Sequence, residues 1–202
     1  MNDYEIINIR DTFSRLFVLA VMNKMNFYSF TTMLEKSDFV KKIEMDKYDD
    51  SFSYPLEKIF YSITGFKTVD NSYGIYNDAY WCGQNYFDLH IKLEKSFSYL
   101  FLKIPLKKMM DIYLIYHEMD FSALTEYFLN IEKKETIIES LLKAKKSTLQ
   151  KMSNDTTINI NTLKKYKESD DCLLNGSFQN IYKIANYYDV PINMFVVSLL
   201  IF

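Results

Sequence analysis

Seven lysines lie within residues 143–167, where Asp155 is the only acidic residue. The whole protein has 24 basic and 26 acidic residues and a net charge of −2, so this segment differs in charge from the rest of the chain. Clustered ammonium groups attract a partner of opposite sign, and the phosphate backbone of a nucleic acid is one such partner. The lysines are Lys143, Lys145, Lys146, Lys151, Lys164, Lys165 and Lys167.

The apolar residues of this basic segment have the spacing of two short helices joined by a tight turn. Their positions predict one helix over residues 148–154 and a second over residues 159–167, with residues 155–158 as the turn. Asn159 is a suitable N-cap residue for the second helix. Such a pair is how many proteins present a helix to the major groove of DNA. The inward-facing residues are predicted to be Leu149, Met152, Leu163 and Tyr166.

Three further helices complete a predicted five-helix domain over residues 133–202. One precedes the pair and covers residues 136–145. Ser177 is a suitable N-cap for the next helix, residues 178–188, and Pro191 opens the last one.

The sequences LQKMSNDTTININTLKKYK and SFQNIYKIANYYDVPINMFV resemble the helix-turn-helix domain of the lambda-repressor/Cro class. In that family a helix, a turn of small residues and a V-x-x-x-x-F/L segment end the domain. Ile184, Ala185, Asp189, Val190 and Phe195 match this pattern. The resemblance includes a spaced set of five elements, and it implies an all-α domain that binds DNA.

The chain departs from the family pattern at three positions. Thr157 occupies the turn where the family usually has Gly, and a β-branched residue is strained in a left-handed backbone conformation. Ser153 replaces the usual Ala. Leu149 replaces a phosphate-contacting Gln, although Gln150 follows it.

The resemblance also implies which side chains contact DNA. Asn161 would pair with the edge of an adenine, and Ile160 would touch a thymine methyl group. Thr148, Lys151 and Lys167 would bind phosphates and set the register without reading sequence. The full predicted site consists of Thr148, Gln150, Lys151, Asn159, Ile160, Asn161, Lys164, Lys165 and Lys167.

An alternative interpretation of the lysines is that they are the solvated face of a helical domain that binds protein. Charge runs on helices are usually solvated, and a fold does not imply its best-known function. Only two of the basic residues are Arg, namely Arg10 and Arg15. DNA reading by this chain would therefore depend on Lys and Asn rather than on the common Arg–guanine contact.

Residues 1–132 are predicted to form a separate helical module. The chain has 17 Tyr and 16 Phe but only 4 Gly and 3 Pro, which favours a packed core of helices joined by short connectors. Residues 67–76 are predicted to be a loop or a short hairpin. The absence of Pro and Gly from residues 122–175 favours continuous helix between the two halves. The predicted helices of the module cover residues 6–23, 30–43, 55–64, 77–92, 96–103, 105–113 and 123–131.

Residues 76–120 contain YWCG, an SF…P segment and HEMD. They are similar to a family of bacterial proteins in which YWxG, SF…P and HExD segments precede a helix-turn-helix domain, in places near toxin-like genes. The resemblance implies an interaction module and no defined activity. Trp81 and Cys82 are predicted to belong to its core.

His117, Glu118 and Asp120 are the residues of this module whose types allow metal binding or acid–base catalysis. Three such residues within one short segment are not ligands that converge from different parts of a fold, and HEMD lacks the second His of the HExxH zinc pattern. The favoured interpretation is a helix end followed by an Asp cap. With no nucleophile–His pair and no Gly-rich phosphate loop, we expect no enzyme, no metal and no cofactor.

The cellular context follows from cysteines and apolar runs. Cys82 and Cys172 are far apart, which favours two reduced thiols in the cytosol. The first residues lack the pattern of a signal peptide. The longest apolar runs are too short to span a bilayer, so we expect a cytoplasmic protein with no membrane partner.

Together these patterns predict an all-α protein in which a helical module precedes a five-helix helix-turn-helix domain. The expected function is transcriptional regulation through sequence-specific binding of double-stranded DNA. A homodimer is expected because one such domain reads a half-site, with the interface in the module or in the apolar tail, residues 196–202. The alternative function is that of an antitoxin, whose module binds a partner toxin while the second domain serves autoregulation.

Overall fold

A computed structural model describes residues 3–68 and 76–195. Within these residues the chain forms fourteen α-helices and two short 3-10 helices, and it forms no β-strand. The predicted all-α class is confirmed for this part of the chain. The chain divides into two compact units, residues 1–123 and residues 124–202.

The first unit contains eight complete α-helices, and the 3-10 helix Asp50–Ser53 lies between the third and the fourth. The predicted loop or hairpin at residues 67–76 lies mostly outside the described residues. The helices are α1 (Asp3–Met22), α2 (Phe27–Lys36), α3 (Asp38–Glu44), α4 (Leu56–Thr64), α5 (Asn77–Leu93), α6 (Phe97–Lys103), α7 (Leu106–Asp111) and α8 (Tyr113–Tyr116).

The core of the first unit forms where α1 packs on α5. Gly83 of α5 allows the close approach, because a Cβ atom there would lie 2.5 Å from the Cα atom of Ser14. Aromatic rings fill the space around this crossing, and the Phe17 ring lies 5.7 Å from that of Tyr86 between centroids. Cys82 is fully buried, as the sequence predicted, and burial raises the pKa of its thiol.

In the first unit, one predicted helix is two helices, and another ends earlier than predicted. Residues 30–43 are broken at Ser37, which has an extended backbone and ends α2 before it caps α3. Its hydroxyl donates to the Leu34 carbonyl at 2.6 Å and accepts from the Val40 amide at 3.2 Å. Ser competes for backbone hydrogen bonds in this way, and the apolar spacing did not reveal it. Residues 105–113 end as a helix at Asp111, before α8 begins.

The ninth helix, α9 (Phe121–Lys134), crosses the division between the two units. Asp120 precedes it, and a carboxylate oxygen of Asp120 accepts from the Ser122 amide at 2.8 Å. The expectation that continuous helix joins the two predicted halves is wrong, because α9 ends at Lys134 and the next helix begins at Ile137 with its own capping box. The sequence boundary after residue 132 lies near the end of α9, whereas the compact units divide near its start.

The second unit contains five further α-helices and the 3-10 helix Ile192–Phe195. The structure adds one short helix, α13, that the sequence analysis did not predict. Ser169 caps α13, and two aspartates occupy its first turn, where carboxylates favour a helix start. The apolar tail, residues 196–202, lies outside the described residues. The helices are α10 (Ile137–Ala144), α11 (Leu149–Thr156), α12 (Ile160–Glu168), α13 (Asp170–Leu174) and α14 (Phe178–Tyr188).

The core of the second unit is built from the inner faces of these helices. Among the residues that the structure describes in this unit, the large side chains that are fully buried are apolar or aromatic, as the helical spacing requires. In the part of the chain that the structure describes, no helix is both long and apolar enough to cross a membrane. The buried residues include Ile138, Leu141, Met152, Leu163, Leu173, Ile184, Tyr188 and Phe195.

Candidate nucleic-acid interface

The candidate interface is the helix pair α11–α12 with the three-residue turn that joins its members. The hydroxyl of Thr148 caps α11 by accepting from the Lys151 amide at 3.2 Å. The side-chain oxygen of Asn159 caps α12 by accepting from the Asn161 amide at 2.8 Å. The predicted helices at residues 148–154 and 159–167 are therefore present, with bounds that differ by one or two residues.

The turn of this pair has the left-handed residue that the sequence predicted as a source of strain. Thr157 has φ +60° and ψ +19°. A β-branched side chain in this region costs about 1–2 kcal/mol relative to a right-handed conformation. Two hydroxyl groups of α11 stabilise the turn. Ser153 donates to the Ile158 carbonyl at 2.7 Å, and the oxygen of Thr156 accepts from the Ile158 amide at 3.4 Å.

One face of α12 is buried and the other is exposed. Leu163 and Tyr166 are buried in the core of the second unit. Asn161, Lys164 and Lys165 have the i, i+3, i+4 spacing of one helical face, and all three are exposed. Among the residues that the structure describes, the two lysines have no ion-pair partner. A polar and basic stripe of α12 thus faces solvent.

The structure places all nine predicted site residues on α11, on α12 or at their N-caps. Seven of them are exposed, whereas Ile160 and Lys167 are half-buried. The amide of Gln150 donates to the side chain of Asn154 at 3.1 Å, within α11. The ammonium nitrogen of Lys167 lies 3.6 Å from a carboxylate oxygen of Glu139, so its charge is already paired. The exposed residues are Thr148, Gln150, Lys151, Asn159, Asn161, Lys164 and Lys165.

Tyr166 anchors the C-terminal half of α12. Its hydroxyl oxygen accepts from the side-chain amide of Asn180 at 3.2 Å. It also lies against Gly176, where a Cβ atom would be only 2.5 Å from that oxygen and 2.8 Å from the Leu173 carbonyl oxygen. Gly176 is therefore needed for the close approach of the ring.

The C-terminal end of α12 is also tied to the start of α10. The hydroxyl of Thr136 donates to the Lys167 carbonyl at 3.1 Å. A carboxylate oxygen of Asp170 accepts from the Ile137 amide at 2.7 Å. These two hydrogen bonds satisfy backbone groups at a helix end and at a helix start. They hold α12 in the second unit independently of its exposed face.

Two lysines of the basic segment have partners that the sequence did not reveal. The ammonium group of Lys143 lies 2.9 Å from a carboxylate oxygen of Glu135. That of Lys145 donates to the Tyr187 carbonyl at 2.6 Å and lies 5.4 Å from the centroid of the Tyr188 ring. Their charges thus contribute to local packing as well as to the surface. Neither partner lies three or four residues from its lysine on the same helix, so helical spacing does not predict these contacts.

The side chains whose types allow metal binding or acid–base catalysis lie at the ends of helices and contact groups there. His117 has Nδ1 at 3.0 Å from the Tyr113 carbonyl oxygen and Nε2 at 3.6 Å from a Glu118 carboxylate oxygen. Hydrogen bonds from Ser122 lower the pKa of Asp120, which precedes α9. Within the described ranges, no three His, Cys, Asp or Glu side chains are grouped so that they could hold a metal ion.

No protein-family model, curated protein or solved structure matches this chain. Its function must therefore be inferred from the geometry of the α11–α12 pair and its surroundings.

Replacing Gly176 with Ala tests the anchoring of α12. The added methyl group meets the Tyr166 hydroxyl and a backbone carbonyl, and overpacking of this kind costs about 1–3 kcal/mol. We expect the free energy of unfolding in urea to fall by that amount. Adding Tyr166→Phe to Gly176→Ala should recover part of the loss, because the nearest atom is removed. Exposed Gln179→Ala is the control, and wild-type stability of Gly176→Ala would contradict this packing.

Proposed function

We propose that the protein is a transcriptional regulator that binds double-stranded DNA in a sequence-specific manner through α12. The observation that carries the proposal is the two-sided character of this helix. Its inner face is fixed by Leu163 and Tyr166, while Asn161, Lys164 and Lys165 are exposed on the other side. A helix held in this way can enter a major groove without unfolding its own domain.

The exposed side chains of α12 suit a groove that contains A·T pairs. The side-chain amide of Asn161 can donate to N7 of adenine and accept from its N6 amino group in a bidentate pair. Ile160 can contact a thymine methyl group. The Asn159 oxygen is used as the helix cap, which leaves its amide nitrogen as a donor. We therefore propose that Asn161 is the principal base-reading residue.

Phosphate contacts are assigned to the start of α11 and to the lysines. The N-terminus of a helix attracts anions, and Thr148 and Lys151 lie at that end of α11. Lys164 and Lys165 add two exposed ammonium groups beside the groove-facing side chains. Lys167 is a weaker candidate than the others, because a phosphate must compete with Glu139 for its charge.

The proposed regulator binds as a homodimer. A single domain of this kind reads one half-site, and two-fold symmetric pairs read half-sites about 34 Å apart. The interface is proposed to lie in the first unit or in the apolar tail, residues 196–202.

The test begins with a pool of random duplexes of about 24 base pairs, long enough for two half-sites. The wild-type chain should enrich one sequence from the pool, and its affinity for that duplex should fall steeply as salt is added. Asn161→Ala should weaken binding to the selected duplex by about 1–3 kcal/mol while leaving binding to a scrambled duplex unchanged. Asn186→Ala, at an exposed position of α14, is the matched control.

Lys164→Ala and Lys165→Ala have a different expected effect. Each should weaken binding to selected and scrambled duplexes alike, and each should reduce the slope of log affinity against log salt by about 0.9. Lys92→Ala, which removes an exposed lysine of the first unit, should change neither quantity. A wild-type chain that enriches no sequence and binds without salt dependence would contradict the proposal.

The second candidate function is that of an antitoxin-like protein whose first unit binds a partner protein. The observation that favours it is an apolar surface on and just after α8, where Leu114, Ile115 and Met119 are 79%, 59% and 53% exposed. Clustered apolar side chains on a surface mark sites of interaction with a partner, and these three lie within six residues. DNA binding by the second unit would then serve autoregulation.

This candidate is tested by co-expressing the chain with the product of each adjacent gene. Co-purification of one product should be abolished by Leu114→Glu, because a carboxylate in an apolar interface is costly. Glu118→Gln, a change at an exposed polar position of the same segment, should leave it intact. If both variants still bind the partner, the partner contacts another surface of the chain. If no adjacent gene product co-purifies with the wild-type chain, this candidate is excluded.

A further inference from the structure

The strained turn between α11 and α12 has a partner on a third helix. Thr157 occupies the left-handed position where Gly would be free of strain. The ammonium nitrogen of Lys183, on α14, donates to the Thr157 hydroxyl at 2.8 Å. The two residues are 26 positions apart in the chain. A hydroxyl that Gly cannot supply is therefore used as an attachment point.

The helix α14 contacts the pair at three places along its length. Near its start, Asn180 bonds to Tyr166 of α12 at 3.2 Å. In its middle, Lys183 bonds to the turn. At its end, the Tyr188 hydroxyl lies 3.7 Å from the Met152 sulfur of α11. Lys183 is thus the contact at the junction of the two helices, where a small change in the backbone would alter the direction of α12.

An exposed lysine near a groove-facing helix is normally expected to bind phosphate. Lys183 is only half-exposed, and one of its donors is already used by Thr157. It also lies on α14, outside the basic segment that supplies Lys151, Lys164 and Lys165. The geometry therefore favours a structural role for Lys183, in which it holds the turn against α14 within the second unit.

We propose that Lys183 is a positioning residue for DNA reading, which holds the α11–α12 turn against α14 by donating to the Thr157 hydroxyl and thereby sets the direction of α12. This inference rests on the proposed function, because it assigns Lys183 a part in sequence discrimination. A misdirected α12 keeps its charge but loses the alignment that a bidentate base contact requires. The expected signature is a loss of specificity without a loss of electrostatic binding.

The test compares Lys183→Met, Thr157→Val and the double variant by fluorescence anisotropy. Valine keeps the β-branched shape of threonine and removes only the hydroxyl, so each single variant breaks the same hydrogen bond. The probes are the duplex selected by the wild-type chain and its scrambled counterpart. The ratio of the two affinities should fall about 3- to 10-fold in each variant, the factor that corresponds to one hydrogen bond.

Three further results are expected from the same titrations. The double variant should lose no more specificity than either single variant, since both remove one interaction. The salt slope of Lys183→Met should equal that of the wild type. Lys183→Arg should retain wild-type specificity, because it keeps a donor at this position. Circular dichroism of every variant should show the wild-type helix content, since neither side chain is buried in the core.

Two outcomes would overturn the inference. A salt slope reduced by about 0.9 in Lys183→Met, with Thr157→Val unchanged, would make Lys183 a phosphate ligand. Unchanged specificity in both single variants would remove any positioning role. If the wild-type chain itself prefers no sequence, the proposed function fails; coupling of the two substitutions in urea unfolding then tests whether the contact itself exists.

Discussion

The burial of Leu163 and Tyr166 is the interaction on which the proposed interface depends. Two side chains spaced three residues apart hold one face of α12 in the core of the second unit. The same spacing directs Asn161, Lys164 and Lys165 to the opposite face. Because apolar burial stabilises the helix, these three exposed side chains are not needed to hold it in place. The hydrophobic effect is non-directional, so burial alone does not fix the orientation of α12. The hydrogen bonds at the two ends of the helix do.

The surroundings of α12 show how a basic segment is sorted into structural and available charges. Lys143 is paired with Glu135, and Lys167 is paired with Glu139. Lys145 donates to the Tyr187 carbonyl. Lys164 and Lys165 have no such partner among the described residues. Counting lysines in the sequence therefore overstates the charge that a polyanion can meet, and the structure narrows the candidate contacts to the exposed stripe of α12 and the start of α11.

Local signals in the sequence predicted much of the fold, whereas contacts between distant residues were not predictable from it. The Ser177 cap and the apolar spacing predicted residues 178–188, which are the bounds of α14. The strain at Thr157 was also predicted, because it depends on one residue type in one turn. The break at Ser37 and the short helix α13 were missed, since side-chain capping outweighed apolar spacing there. The contact between Thr157 and Lys183 joins two helices, and no local pattern encodes it.

Whether α12 reads DNA is tested most directly by the amide chemical-shift changes of the ¹⁵N-labelled protein when the selected duplex is added. The proposed interface predicts that the largest changes occur in α12, at the start of α11 and in the turn between them. It also predicts that these changes are greater with the selected duplex than with the scrambled one. Changes confined to residues 3–68, with α12 unaffected by either duplex, would contradict the claim that α12 reads DNA.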